Sequence, residues 1–352
     1  GVDSSIISFL ASSIRPDIST FSIGFPDEPL FDESKYAKLV AKHIGSNHHT
    51  FEVTNKDLFD NLQEILEYID EPFADSSAIN VYLLSKKTKE NVTVSLSGDG
   101  ADELFTGYNK HDALFFADQR NYKTALIKTF GFTSFLLPSS RNSKVGNFGR
   151  KLKKLTSGLQ LDKQERYLEW AAFMSKNQLQ RLTNCKSVPN PLQDINFTQF
   201  SDYLKADFQL VLTNDMLKKV DLMSMANSLE VRTPFLDHNL VEYVFSLPTN
   251  FKIDALNKKK ILKDTFKAEL PENLFNRKKH GFEVPLEKWF QNELKSYVKE
   301  NIFNNNSLVK LGYLNQKELS IMEHKLFKGN SGDTVLNTWA LIVLDNWTRK
   351  NL

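Results

Sequence analysis

Two short segments combine glycine, hydroxyl and carboxylate residues in the way that phosphate and metal sites require. The first is Gly1-Val2-Asp3-Ser4-Ser5, directly before the apolar positions of a predicted helix. Backbone N–H groups at a helix start can bind phosphate, and the serine hydroxyls add further donors. Because phosphate repels a carboxylate, Asp3 fits better as a ligand of a magnesium ion that bridges the phosphates. An ordinary helix cap is the alternative use of these residues.

The second segment is Ser97-Gly98-Asp99-Gly100-Ala101-Asp102-Glu103, in which two glycines free the backbone and three carboxylates fall within five positions. Without a cation this crowding is repulsive, so it indicates metal binding or proton transfer. A polar turn is the alternative. The tripeptide Ser-Gly-Asp recurs at 331–333, where we assign it no function, so the tripeptide alone has no weight.

Strands alternating with helices are expected to position both segments. Alternating apolar residues predict strands at Phe21–Phe25, His49–Val53 and Val92–Leu96, with helices between them. This order indicates an α/β fold with a parallel sheet wrapped by helices, in which ligands bind at the carboxyl ends of the strands. A phosphate-binding turn such as Gly1–Ser5 normally follows a buried strand, so we expect the first strand to lie upstream of Gly1.

The remaining elements are predicted to be helical. Thr54 and Asp57 resemble a capping box that opens a helix with Leu58, Leu62, Ile65 and Ile69 on one face. From about Asn109 the strand signals fade, and helical periodicity dominates 161–182, 200–220, 258–269 and 335–347. Residues 138–149, rich in serine, asparagine and glycine, predict a loop. We therefore expect an α/β domain over 1–108 and a mostly helical part over 109–352.

Composition excludes several classes of protein. The 352 residues carry a formal net charge of +2, which gives no bulk attraction for nucleic acid. The single cysteine, Cys185, excludes a disulfide framework and argues against a cysteine-ligated metal site. The longest apolar run, 339–344, is too short to cross a membrane, and no signal peptide is evident. These features indicate a soluble, cytoplasmic, globular protein.

The two segments, with three others, resemble the signatures of the asparagine synthetase family. The family's phosphate loop, S-G-G-x-D-S-S, ends in five residues that match Gly1–Ser5. Its signature S-G-[DE]-G-x-D-E-x-x-x-G-Y is complete at Ser97–Tyr108, and S-L-E-x-R-x-P-F-L-D is complete at Ser228–Asp237. A K-x-x-L-[KR] match at Lys259 and a basic G-F-x-x-P segment over 277–285 follow in order. The resemblance implies the ATP-pyrophosphatase (PP-loop) fold for residues 1–108, with its loop cut by the start of the chain.

The resemblance also implies a role for each matched residue. Asp99 would act in forming and consuming an acyl-adenylate, and Lys259 would neutralise charge on the phosphates, although Lys258 and Lys260 flank it closely. Asp3 and Asp102 would hold magnesium on the leaving pyrophosphate. The implied ATP-binding residues, with Ile23 against the adenine, are Gly1, Val2, Asp3, Ser4, Ser5, Ile23, Ser97 and Gly98.

One departure from the family concerns the substrate. Relatives commonly carry D-R-x-S-M-A before the third signature, but here Leu222 follows Asp221 in place of arginine. If that arginine contacts substrate in relatives, the substrate of this chain differs. Asp221, Glu230 and Arg232 are candidate substrate ligands, whereas a structural salt bridge is an equal alternative for Glu230, Arg232 and Asp237.

The resemblance implies ATP-dependent amide formation, with aspartate adenylated and then attacked by ammonia. Two alternatives are a sibling amidotransferase or cyclase that acts on another carboxylate, and a nucleotide-binding remnant without activity. In relatives an N-terminal glutaminase domain supplies the ammonia from glutamine, and its nucleophile is a cysteine at the mature N-terminus. Cys185 has no partnering histidine nearby, so we expect no glutaminase activity from this chain. We also expect weak ATP binding and self-association, such as a homodimer, through a sheet face that is left exposed.

Overall fold

The computed structural model describes residues 1–27, 32–119, 144–185, 189–276, 284–329 and 331–352, with five further residues between 122 and 137. Two compact units share these residues. The first contains Gly1–Asp70, Asp75–Tyr108 and Leu204–Pro285, and the second contains Glu71–Ala74, Asn109–Tyr203 and Leu286–Leu352. The chain leaves the first unit after Tyr108 and re-enters it at Leu204, so each unit is built from more than one stretch of sequence. The domains expected over 1–108 and 109–352 stay a prediction.

Parallel strands occur where the sequence predicts them. β1 (Ser19–Gly24) pairs with β2 (Asn47–Glu52) in parallel, with Phe21 opposite His49 and Ile23 opposite Phe51. β3 (Val94–Leu96) pairs in parallel with β4 (Glu230–Arg232). The prediction of parallel α/β structure is confirmed. The predicted single wrapped sheet is not seen, because the described residues form two sheets of two strands each.

Most of the first unit is helical. Its α-helices are Val2–Ile14, Ser34–Ile44, Asn55–Asp60, Leu62–Tyr68, Ala78–Lys89, Ala101–Leu104, Lys218–Met225, His238–Ser246, Thr249–Lys252 and Lys260–Phe266. Asp207–Leu217 is wound as a π-helix, a rare form that is frequent at functional sites. Short 3₁₀ turns occupy Pro234–Leu236 and Glu272–Leu274.

The regular structure in the described residues of the second unit is helical, apart from an isolated bridge between Thr183 and Leu314. Its α-helices are Asn109–Asp118, Lys144–Leu159, Lys163–Ala171, Lys176–Leu182, Leu286–Gln291, Lys295–Tyr297, Ser307–Lys310, Gln316–Lys328 and Thr334–Asn351, and Val298–Asn304 is a π-helix. The helix Phe200–Ala206 begins in this unit and ends in the first. Trp339, Phe290 and Ile342 are fully buried in its interior. No helix in the described part of the chain has both the length and the apolarity to cross a bilayer.

Two predicted elements differ from the structure. The helix expected over Leu58–Ile69 is broken at Asn61, whose side chain donates to the Asp57 carbonyl at 2.7 Å and so competes with the helical backbone. The capping box of Thr54 and Asp57 that opens it is confirmed. The loop expected over 138–149 is wrong from Lys144 onward, where a helix begins. Residues 138–143 lie outside the described residues, as do 277–283 of the basic segment.

Candidate active site

Four signature segments of the sequence contribute to one buried apolar cluster of the first unit. Ile6 and Ile7 come from the helix after the Gly1 turn, and Leu262 comes from the helix after Lys259. Phe105 and Phe235, from the second and third signatures, meet edge to face with ring centroids 5.9 Å apart. Burial of one such side chain stabilises the fold by about 1.5–3 kcal/mol. The core therefore holds these four segments together.

Lys259 lies between the carboxylates of Asp3 and Asp102. Its Nζ atom donates to Asp3 Oδ1 at 2.5 Å and also contacts Asp102 Oδ1. The lysine side chain is only 7% exposed, and the two carboxylates are 20% and 22% exposed. Burial alone would lower the pKa of Lys259, but the two negative charges outweigh burial and raise it. The ammonium group is therefore kept charged among residues from three parts of the chain.

The first two signatures touch at Gly98. A Cβ atom at this position would lie 2.7 Å from the Ser4 amide nitrogen and 2.8 Å from the Asp3 Cβ atom. Such distances are shorter than any ordinary contact between these atoms, so a residue with a side chain would displace the Gly1 turn. Glycine at 98 thus lets the turn after β3 approach the start of the first helix, as the prediction for these two segments requires.

The Gly1 segment forms the first turn of the helix Val2–Ile14. The helical hydrogen bonds begin with Ser5 N–H to the Gly1 carbonyl at 3.1 Å, so the preceding N–H groups belong to an open helix start. The hydroxyls of Ser4 and Ser5 both donate to the Gly1 carbonyl, at 3.2 and 2.7 Å. The segment therefore presents a helix N-terminus, and its hydroxyls bond back to the Gly1 carbonyl. Their binding of ATP stays a prediction.

The three carboxylates after β3 have three different surroundings. Asp102 contacts Lys259, whereas Glu103 is 1% exposed and accepts a hydrogen bond from Tyr108 Oη at 2.6 Å. Burial raises the pKa of Glu103 to about 7 although the tyrosine opposes the rise. Asp99 is half-buried, and its own N–H faces Ser97 Oγ at 3.5 Å. The three carboxylates therefore do not form one cluster, since Asp102 faces the Lys259 ammonium group and Glu103 lies in the interior against Tyr108.

The residues present fit a magnesium ion that is held together with phosphates. Asp3 and Asp102 direct oxygen atoms at one cation, the Lys259 ammonium, and both remain partly exposed. Magnesium typically takes one or two protein carboxylates and completes its shell with water and substrate phosphates. No group of three or more His, Cys, Asp or Glu side chains in the described residues could enclose a metal alone. These two carboxylates therefore suit a metal ion that binds together with a nucleotide better than one that the protein holds by itself.

The predicted substrate residues do not join this centre through any contact of the described structure. Glu230 and Arg232 pair with each other along β4 at 2.7 Å, and both side chains are more than half exposed. Asp237 caps the helix His238–Ser246 by accepting from the N–H groups at 239 and 240. Asp221 is exposed on the helix Lys218–Met225. Ile23 is buried on β1. Substrate and adenine contacts by these residues stay predictions.

A second buried ion pair was missed at the sequence level. Lys219 Nζ donates to Asp75 Oδ2 at 2.7 Å, and the lysine side chain is 8% exposed. Burial lowers the pKa of Lys219, but Asp75 and, more weakly, Asp99 and Asp215 outweigh it and raise the pKa. Lys219 therefore lies within the electrostatic field of Asp99. No local pattern could reveal a pair separated by 144 positions, although the π-helix before Lys219 is a structural signal.

Known proteins are similar to this chain over most of its length. The family model described as asparagine synthase matches residues 1–349. The chain is 32% identical over 311 residues to asparagine synthetase [glutamine-hydrolyzing] 1 of Bacillus subtilis, covering 86% of this chain and 48% of that protein. A putative asparagine synthetase [glutamine-hydrolyzing] of Mycobacterium tuberculosis is 30% identical over 301 residues, covering 83% and 45%.

The chain spans about half the length of these curated relatives. The family model, by contrast, covers almost the whole chain, and it includes all the signature segments that meet around Lys259. This protein chain belongs to the asparagine synthase family.

Proposed function

We propose that this chain adenylates the side-chain carboxylate of aspartate with ATP and transfers the acyl group to ammonia, which gives asparagine. In the first step a carboxylate oxygen bonds to the α-phosphorus, and pyrophosphate leaves with the electrons of the broken P–O bond. In the second step ammonia attacks the acyl carbon, AMP leaves, and the nitrogen loses a proton. The fold that we propose for this chemistry is the PP-loop type.

The observation that carries the proposal is the ammonium group of Lys259 between Asp3 and Asp102. Departure of pyrophosphate concentrates negative charge, and a preorganised positive charge in a partly dehydrated site stabilises that charge. The helix start at Gly1–Ser5 adds N–H donors of the same polarity beside it. Both features favour a reaction in which a phosphate chain is bound and cleaved. We assign Ser97 and Gly98 to ATP contacts because Gly98 touches the same turn.

We propose that Asp3 and Asp102 hold magnesium when the nucleotide is present. The ion would supply positive charge to the leaving pyrophosphate. Asp99 is the carboxylate of this turn that we assign to the acyl side, since Asp102 contacts Lys259 and Glu103 bonds with Tyr108 in the interior. Asp99 would take the proton that the attacking nitrogen releases.

We propose that ammonia comes from a separate glutaminase domain. The names of both relatives include glutamine hydrolysis, and the chain matches about half of each of them. Within this chain Cys185 is exposed and the sequence offers no histidine close to it, so we do not assign it as a glutaminase nucleophile.

The proposal is tested with the purified full-length protein, ATP, magnesium and ammonium chloride. Aspartate should elicit pyrophosphate, AMP and asparagine in equal amounts, whereas glutamate, one methylene longer, should elicit little pyrophosphate. Pyrophosphate release with another carboxylic acid but not with aspartate would overturn the acyl assignment alone. No pyrophosphate with any acid would overturn the adenylation chemistry as well.

A further inference from the structure

Two residues of the site adopt left-handed backbone conformations that side chains rarely tolerate. Lys259 has φ +52°, and Thr106, at the end of the second signature, has φ +63°. Ser228 is the third such non-glycine residue in the described part of the chain. A positive φ is most unfavourable for a β-branched residue, so Thr106 is a genuine outlier. Strain of this kind persists where the surroundings enforce it, and it is frequent at functional sites.

The segment that carries Lys259 is a tight loop closed at its base. Ile253 and Lys258 form an antiparallel bridge, and Asp254 N–H donates to the Asn257 carbonyl at 3.0 Å. The Asp254 carboxylate accepts from the N–H groups at 256 and 257, at 2.8 and 2.7 Å. The loop is therefore internally rigid, and the direction of Lys259 depends on how its two ends, Lys252 and Lys259, are fixed.

Two consecutive residues of the second signature, Phe105 and Thr106, hold both ends of this loop. The hydroxyl of Thr106, which is fully buried, lies within hydrogen-bond distance of two carbonyls, that of Lys252 at 3.0 Å and that of Phe105 at 2.5 Å, and its single hydrogen is shared between them. The carbonyl of Phe105, the preceding residue, accepts the Lys259 N–H at 3.0 Å. Rotation of the backbone at Thr106 would turn this carbonyl away from Lys259. The strained φ of Thr106 therefore sets the position of the groups that anchor the loop.

The next residue shows how closely the loop is held. A Cβ atom at Gly107 would lie 1.7 Å from Asp102 Oδ1 and 2.3 Å from Lys259 Cε. The turn after Thr106 therefore packs directly on the Lys259–Asp102 contact, and glycine is required there. A shift of the backbone at Thr106 would therefore move the turn that packs on Asp102 and Lys259 as well as the loop.

We propose that Thr106 is a positioning residue that clamps the 252–259 loop and so directs the Lys259 ammonium group toward the phosphates of ATP. This inference rests on the proposed role of Lys259 in adenylation. Thr106 itself touches neither substrate nor nucleotide in this assignment. It acts through Lys259, and its effect on the rate should depend on that side chain.

The test compares three variants of the purified full-length protein by pyrophosphate release with ATP, aspartate and ammonium chloride, per folded protein. Thr106→Gly accepts a positive φ but removes the hydroxyl, so it should fold and should lower kcat about 10- to 100-fold, the range for a displaced catalytic group. Thr106→Ser retains the hydroxyl and should recover most of this loss. Thr338→Ala, at an equally buried threonine that bonds a helix carbonyl at 2.8 Å, should keep the wild-type kcat.

The double variant with Lys259→Ala separates positioning from a general structural role. If Thr106 acts through Lys259, Thr106→Gly should cost no more than about twofold when Lys259 is already alanine. An equal loss in both backgrounds would overturn the positioning role, as would a wild-type kcat for Thr106→Gly beside a slow Lys259→Ala. A wild-type rate for Lys259→Ala would instead refute the proposed function on which the inference rests.

Discussion

Lys259 and Lys260 are adjacent in sequence, yet their side chains lie in opposite surroundings. Lys259 is buried against Asp3 and Asp102, which come from distant segments. Lys260 starts the helix Lys260–Phe266, is 35% exposed, and pairs with Asp264 one turn later. A solvent-exposed pair of this kind contributes little to stability because water screens it.

The difference shows what converts a lysine into a candidate catalytic group. Hydrogen bonding with Asp264 raises the pKa of Lys260, and two carboxylates against burial raise the pKa of Lys259, so both lysines stay charged. The two lysines differ in two respects. Only Lys259 is buried away from water, and only Lys259 lies beside the helix start at Gly1–Ser5. The buried side chain of Leu262 anchors the helix that Lys260 begins and Lys259 precedes. Position, more than charge, separates these two neighbours.

The largest expected effect comes from the carboxylates around Lys259. Asp3→Asn and Asp102→Asn each remove a charge but little volume, so the fold should survive while pyrophosphate release is abolished. The reason is the loss of an anionic ligand for the magnesium ion that we propose these two residues hold. Asp264→Asn is the matched control, since it removes the partner of Lys260, and it should stay within about twofold of the wild-type rate. Wild-type rates for both Asp3→Asn and Asp102→Asn would contradict the metal assignment.

Replacing Lys259 by alanine should give the next largest effect. Lys259→Ala should lose at least about two orders of magnitude in kcat, as is usual when one electrostatic stabiliser of a transition state is removed. Lys260→Ala removes a partly exposed surface pair and should change the rate little. Both variants are compared by pyrophosphate release at saturating ATP. A milder effect from Lys259→Ala than from Lys260→Ala would show that the motif match selected the wrong lysine.

The fold could be predicted where apolar periodicity determines it. β1, β2 and β3 follow alternating apolar residues, and all three were predicted within a few positions. β4 was missed because Glu230-Val231-Arg232 has only one apolar residue, and backbone bonds alone define the strand. These bonds join Glu230 N–H to the Thr93 carbonyl at 3.0 Å and Ser97 N–H to the Arg232 carbonyl at 2.9 Å. Such pairing leaves no trace in side-chain pattern.

The members of the candidate site could be named from sequence, but their geometry could not. Motif matching selected Asp3, Asp102 and Lys259 separately, and 256 positions separate the first from the last. The clamp by Thr106 was not foreseeable, because it depends on a backbone angle and on carbonyl acceptors that every residue possesses. The Glu230–Arg232 pair shows that a complete signature match does not by itself bring charged residues to the site around Lys259.

A third lysine in the same loop extends the comparison to a buried site without a carboxylate. Lys252 is 1% exposed, and its Nζ atom donates to the Leu247 carbonyl at 3.0 Å. No carboxylate of the described residues forms an ion pair with it, and burial lowers its pKa to about 8. Burial thus lowers the pKa of Lys252, whereas the neighbouring carboxylates reverse that effect for Lys259.

The smallest predicted effect is the pH dependence that follows from Lys252. An unfolded lysine has a pKa of about 10.4, so between pH about 8 and 10.4 the unfolded chain binds more protons at this residue than the folded one. The contribution of Lys252 to the free energy of unfolding should therefore rise with pH across that window.

Lys252→Met removes the buried charge, keeps the length of the side chain and leaves the backbone carbonyl that Thr106 uses. The variant should exceed the wild type in stability most clearly below pH 8, and the excess should shrink toward pH 10. Urea unfolding at several pH values measures the difference, with Lys260→Met as the control that should gain nothing below pH 8. A gain from Lys252→Met that grows with pH would contradict the direction of the pKa shift.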